Sequence, residues 1–167
     1  MRTSYLPVLV FGITYLCFLA FLFVSAGQLP PRVATHFNLA GQPDGWMTRT
    51  SYLVFLAVAG SLSSMFLIGL FFSMRFFSKG AFNLSRRDYW LAPERRAETF
   101  AYLFRQSFWL ASMMTVFLAG LHGLTIQANH QGGAAIHLSL PMTGGLSGCF
   151  LVGSLTWAVC LYRHFEK

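Results

Sequence analysis

LPVLVFGITYLCFLAFLFVSA, residues 6–26, passes through a GQLPPR bridge into VATHFNLAGQPDGWMTR, residues 33–49. The first stretch holds no Asp, Glu, Lys or Arg; the second gathers His, Asn, Gln, Asp and Trp into a turn-rich island. At about 1.5 Å per residue, a helix over 6–26 crosses the roughly 30 Å of hydrocarbon in a bilayer. Gly27 and the Pro30–Pro31 pair then stop it, because glycine suits the left-handed residue past a helix end and proline cannot continue one. Val33 to Phe37 has the residue types of a short extended segment, and Gly41, Pro43, Asp44 and Gly45 supply turn chemistry. Trp46 falls where the chain returns to headgroup level, the usual place for an interfacial anchor.

The rest of the chain repeats this contrast. Of 167 residues, 55% are hydrophobic, 17% aromatic and 10% charged, against about 25% charged in a soluble domain. Residues 52–74, 107–126 and 142–162 are further spans. The expected fold is an all-α membrane protein, a single domain of four transmembrane helices. An ordered outer loop (27–51) and a second outer loop (127–141) lie opposite a basic cytoplasmic loop (75–106). Arg2 followed by an apolar run and the small residues Val24, Ser25 and Ala26 imitates a signal peptide, but the run exceeds a signal core of roughly 7–15 residues and is expected to be kept as a helix.

Charge sets the expected orientation. Arg32 and Arg49 lie in the first loop, whereas Arg75, Lys79, Arg86, Arg87, Arg95, Arg96 and Arg105 cluster between the second and third spans, and Arg163 and Lys167 end the chain. The positive-inside rule places both termini and the 75–105 segment in the cytoplasm and the His/Asn/Asp island outside. The net charge of +7 follows from those flanks and points to anionic lipid, not nucleic acid. Cys17, Cys149 and Cys160 all fall within spans, too far apart in sequence for a metal or redox motif. Within the connector, Pro93 followed by Glu94 and good helix formers predicts that the third helix starts near Pro93 and runs on into the membrane. Tyr89 and Trp90 before it suit the interface. Arg95 and Glu98 have the i, i+3 spacing of a solvated ion pair.

Several chemistries lack their groups. Proton relays and ion-coupled transport need ionisable side chains at membrane depth, and here only His122 and Arg105 stand near the ends of the third span. HExxH, GxSxG and paired intramembrane aspartates are absent, and Ser61, Ser63 and Ser64 are expected to pack and bond their own helix. No catalytic residue is expected, although a path for a neutral or lipid-like substrate needs no buried charge. No cofactor is required, but His36, His122, His130 and His137 with Asp44 all map to the outer side and could hold zinc or copper. The alternative is a loop in which His36 satisfies Asp44 or Asn38. Small residues recur as Ala111, Thr115, Ala119 and Gly123 in the third span and as Gly144 and Gly148 in the fourth. Such stripes let helix backbones approach, so these two helices are expected to pack on each other or on a partner.

LPPRVATHFNLAGQPDGW, residues 29–46, resembles the LPxxxxxHFNxxGxPDxW pattern of a bacterial membrane family of unknown function, a domain that also stands at the front of SdpI-type immunity and signalling proteins. NLSRRDYWLAPERR, residues 83–96, is similar to the stretch after helix two in stand-alone members. The resemblance covers about the first 100 residues. It carries His36, Phe37, Asn38, Gly41, Pro43, Asp44 and Trp46 onto the outer motif, and Asn83, Tyr89, Trp90, Pro93, Glu94, Arg95 and Arg96 onto an inner one. In SdpI-type proteins it implies a bundle of membrane helices that protects against a secreted toxin and relays its presence to a cytoplasmic repressor; the Ile-Arg-Thr-Pro-Trp block of those longer proteins is missing here. The expectation is a non-enzymatic, multi-pass inner-membrane module that binds or senses at its outer cap, in contact with the lipid bilayer and another membrane protein or a second copy. The other readings are an accessory subunit of a larger membrane complex and an outer-face metal protein.

Overall fold

The computed structural model describes residues 4–78, 80, 85–130 and 136–166. Helix α1 (Leu6–Ser25) ends in a 3₁₀ turn (Ala26–Gln28), and strands β1 (Arg32–Phe37) and β2 (Pro43–Thr48) follow. Helix α2 (Arg49–Ser73) then leads to a second 3₁₀ turn (Met74–Phe76), a single helical turn α3 (Arg87–Trp90), and the long helices α4 (Pro93–His130) and α5 (Leu140–Glu166). Four of these helices are long and apolar enough to cross a membrane. At 38 residues, α4 is about 57 Å long, nearly twice the hydrocarbon thickness. Much of the stretch expected as loop 75–106 is therefore helix, beginning at Pro93 as the proline and the acidic first turn direct.

The all-α expectation needs one correction. β1 and β2 pair antiparallel, with Arg32 opposite Thr48, Val33 opposite Met47 and Ala34 opposite Trp46, and with two irregularities in register around His36. Backbone leaving the end of α1 must bond something, and the β-branched Val33 and Thr35 favour a partner strand over a free loop. Arg49 N closes the base of the hairpin on the Pro31 carbonyl at 3.0 Å. Thr48 caps α2 by accepting from Ser51 N, a side-chain oxygen meeting an orphan amide of the first turn.

Packing is arranged for lipid. Ile13, Leu16, Phe23, Leu62, Met65, Phe66, Val152 and Leu155 face outward, while Ser25, Ser64, Ser107, Ser112, Thr115 and His122 are buried. Where lipid is as apolar as leucine, helices gain from close packing and interhelical hydrogen bonds rather than from the hydrophobic effect. Helix α4 is the hub, packing along α1, α2 and α5. On the α1–α2 side Phe18 fills the space above Gly60, where an added Cβ would lie 2.7 Å from the ring, and Ser64 bonds Thr115 at 3.4 Å.

Helices α4 and α5 pack on each other, and their small-residue stripes make different contacts. Ala111 and Thr115 are buried, and Thr115 and Ala119 face α1 and α2. Helix α5 meets α4 at Gly120, where Leu146 occupies the room of a side chain, and through the Phe117–Phe150 stack at 4.7 Å. Gly123, Gly144 and Gly148 open onto free space. Among the described residues the GxxxG of α5 thus brings no backbone close.

Candidate functional site

Two polar assemblies stand at opposite ends of the helices. At one end Asn38 builds the hairpin turn: its Oδ1 accepts from Ala40 N at 2.9 Å and Gln42 N at 3.0 Å, and its backbone bonds Gln42 and Gly41. Gly41 has φ +78°, and a Cβ there would lie 2.6 Å from the His137 ring and 2.7 Å from the Leu138 carbonyl. Both the backbone conformation and the close approach therefore require glycine. The approach is a strap: Leu138 N donates to Gly41 O at 2.9 Å and His137 Nε2 donates to Ala40 O at 2.8 Å. Asn, Gly and the intervening spacing of the motif are thus the chemistry of one turn.

Beyond the turn, His36 Nδ1 pairs with Asp44 Oδ1 on an exposed face. Gly45 permits this, since a Cβ on it would sit 2.8 Å from His36 Cβ. Pro43 opens β2 opposite Phe37, and the Arg32 guanidinium lies over the half-exposed Trp46 ring at 5.6 Å. His36, Asp44, Arg32 and Trp46 are exposed side chains of this cap.

Beneath the cap, α4 grips the hairpin and the first two helices. Asn129 Oδ1 accepts from Ala34 N at 2.8 Å and its Nδ2 donates to Ala34 O at 3.0 Å and Thr125 O at 2.8 Å, so both donors and the oxygen of a buried amide are engaged. Two turns lower, fully buried His122 bonds Ser25 Oγ through Nε2 at 2.7 Å and Tyr52 Oη through Nδ1 at 3.0 Å. Ser25 Oγ also donates to the Phe21 carbonyl. Because that carbonyl can only accept, His122 Nε2–H donates to Ser25 Oγ and His122 Nδ1 accepts from Tyr52 Oη–H, so a neutral imidazole protonated on Nε2 satisfies the chain Phe21–Ser25–His122–Tyr52. This is a closed network joining α1, α2 and α4, which leaves no nitrogen for a metal.

The metal set expected from sequence is accordingly not gathered. His36 and Asp44 meet, His137 is bound to the turn, His122 lies inside the helices and His130 is exposed at the end of α4. Among the described residues no three His, Cys, Asp or Glu side chains form a group that could hold an ion.

At the far end of the helices, Trp90 donates its indole N–H to Phe165 O at 3.0 Å and receives the Thr99 hydroxyl on its carbonyl at 2.8 Å. Tyr102 stacks on His164 at 3.9 Å, and Leu91, Phe100, Leu103, Phe71 and Phe165 form the core of this elbow. Arg96 donates to the carbonyls of Arg75 and Phe77. Arg95 lies over the Tyr89 ring at 4.1 Å and, among the described residues, makes no ion pair with Glu98; a ring face at that distance outcompetes a solvated carboxylate. Pro93 and Glu94 open α4. Asn83 lies outside the described residues.

Sequence reasoning singled out His122 but not Ser25, Tyr52 or Asn129, its partners in fastening the cap. Ser25 was hidden among small residues of signal-peptide type, and Asn129 carried one cue, an amide in the last turn of a span. Residues 12–60, which run from α1 through the cap into α2, match the family described as a domain of unknown function (DUF1648). No curated protein matches the chain, and no solved structure does.

Proposed function

We propose that this chain is a non-enzymatic, multi-pass protein of the bacterial inner membrane, an SdpI-like binding, sensing or immunity-type module. Its cap faces outward, its elbow and both termini face the cytoplasm, and the elbow is the partner surface. The observation that carries this reading is the double fastening of the cap: Asn129 holds β1 to α4, and the 137–138 strap holds the turn to the start of α5. A partner bound at His36, Asp44 and Trp46 thereby acts on helices that end at the elbow. The matched segment at 12–60 centres on this cap.

The test separates binding from folding. His36→Ala and Asp44→Ala touch the exposed pair, whereas Asn38→Ala breaks the turn. The first two are expected to accumulate at wild-type levels and to reproduce the host phenotype of deleting the protein, such as loss of resistance to a secreted toxin. Wild-type phenotype in both overturns the reading. A second reading, an accessory subunit of a larger membrane complex, draws support from α5, whose Gly144–Gly148 stripe is open. Native mass measurement after mild extraction distinguishes it: a heteromeric species supports it, and a monomer or homo-oligomer counts against it.

A further inference from the structure

At the elbow, the end of α2 and the start of α4 leave a groove of about 400 Å³ lined by Arg75, Pro93, Arg96, Ala97, Phe100 and Ala101. We propose that this groove is a binding site for the phosphate of an anionic phospholipid, with an acyl chain lying along the apolar flank beyond it. No carboxylate lines the groove, and among the described residues neither arginine has an acidic partner within ion-pair distance. Both side chains are nevertheless held in place. Arg75 Nε donates to Phe72 O at 3.1 Å and its guanidinium lies 3.8 Å over the Phe72 ring, while Arg96 Nη2 donates to Arg75 O at 3.3 Å and Phe77 O at 2.9 Å. Among the described residues no acceptor engages either Nη group of Arg75 or the Nε and Nη1 of Arg96. Two fixed guanidiniums fit a phosphate with short, charge-assisted bonds, and neutralising their mutual repulsion favours an anion.

The groove's depth selects lipid over a soluble anion. It lies where α2 ends after an apolar run, with exposed Phe72 and Phe76 beside Arg75 and with Phe100 and Ala101 running along α4 toward the membrane. A headgroup at the arginines leaves its tails level with these rings. Basic pockets between membrane helices are the known setting for such headgroups, and the site stands apart from the cap, so its test does not touch binding at His36, Asp44 and Trp46.

The experiment uses the full chain in nanodiscs of equal parts phosphatidylglycerol and phosphatidylcholine, with bound lipid read by native mass spectrometry. Wild-type protein should retain phosphatidylglycerol preferentially. Arg75→Gln with Arg96→Gln should lower that preference on the order of tenfold, whereas Arg87→Gln, beside Asp88 and off the groove, should leave it unchanged. Equal retention of the two lipids by wild type, or an unaltered preference in the double variant, overturns the proposal. Arg96 also caps α2, so wild type supplies a second measurement: millimolar inorganic phosphate should leave phosphatidylglycerol in place, and its displacement would assign the groove to free phosphate instead.

Discussion

His122 is an imidazole enclosed by Phe21 at 5.0 Å, Tyr52 and Ser25, in a segment surrounded by lipid-facing side chains. Removing any one member leaves the others with an unmet bond, which in membrane interiors costs about 0.6–2 kcal/mol. Ser25→Ala and Tyr52→Phe are each expected to destabilise by about 1 kcal/mol. With His122→Ala in a double-mutant cycle their effects should fall short of additive, since each breaks the same chain. Unfolding in detergent with graded denaturant measures this; strict additivity would mean that the bonds act separately. Gly41→Ala should cost more than His137→Ala in the same assay. A side chain at positive φ costs about 1–3 kcal/mol, and this one also displaces the strap, while His137→Ala removes one bond at an exposed site.

Among the elements, the hairpin depends on α4 more than on its own two short strands, since an isolated two-stranded ribbon is marginal at best. Asn129→Ala should therefore speed amide hydrogen exchange across β1, Ala34 above all, while leaving α5 protected; unchanged exchange would show that the strands hold themselves. The four long helices were legible in the sequence because lipid demands about 20 apolar residues in a row, and Pro93 announced the start of α4 by its fixed φ. The turn was legible as turn chemistry at Gly41, Pro43 and Asp44. Pairing of β1 with β2 was not, because it hangs on Asn129 and the 137–138 strap, contacts some hundred residues away that no local pattern encodes. The metal expectation failed to assemble for a related reason: loop position placed His36 and His122 near one level, but burial turned His122 inward to Ser25 and Tyr52. The glycines of α5 read as a packing seam, and the helix instead uses its Leu146 and Phe150 side.

For the whole molecule, the helices put cap and elbow at opposite ends, and the proposed orientation across the membrane rests on charge alone. In a background with Cys17, Cys149 and Cys160 replaced, a cysteine at Leu39, 99% exposed, should react with an impermeant maleimide in intact cells, and one at Asp88 should react only after lysis. Equal labelling of both, or the reverse order, refutes the orientation. The strap has a consequence for biogenesis. The hairpin emerges from the ribosome early, but its turn is closed by His137 and Leu138, translated 97 positions after Ala40 and Gly41 respectively. Latching of the cap must therefore wait until the third of these helices has been made, so a nascent chain arrested before His137 would display this hairpin unlatched and open to protease.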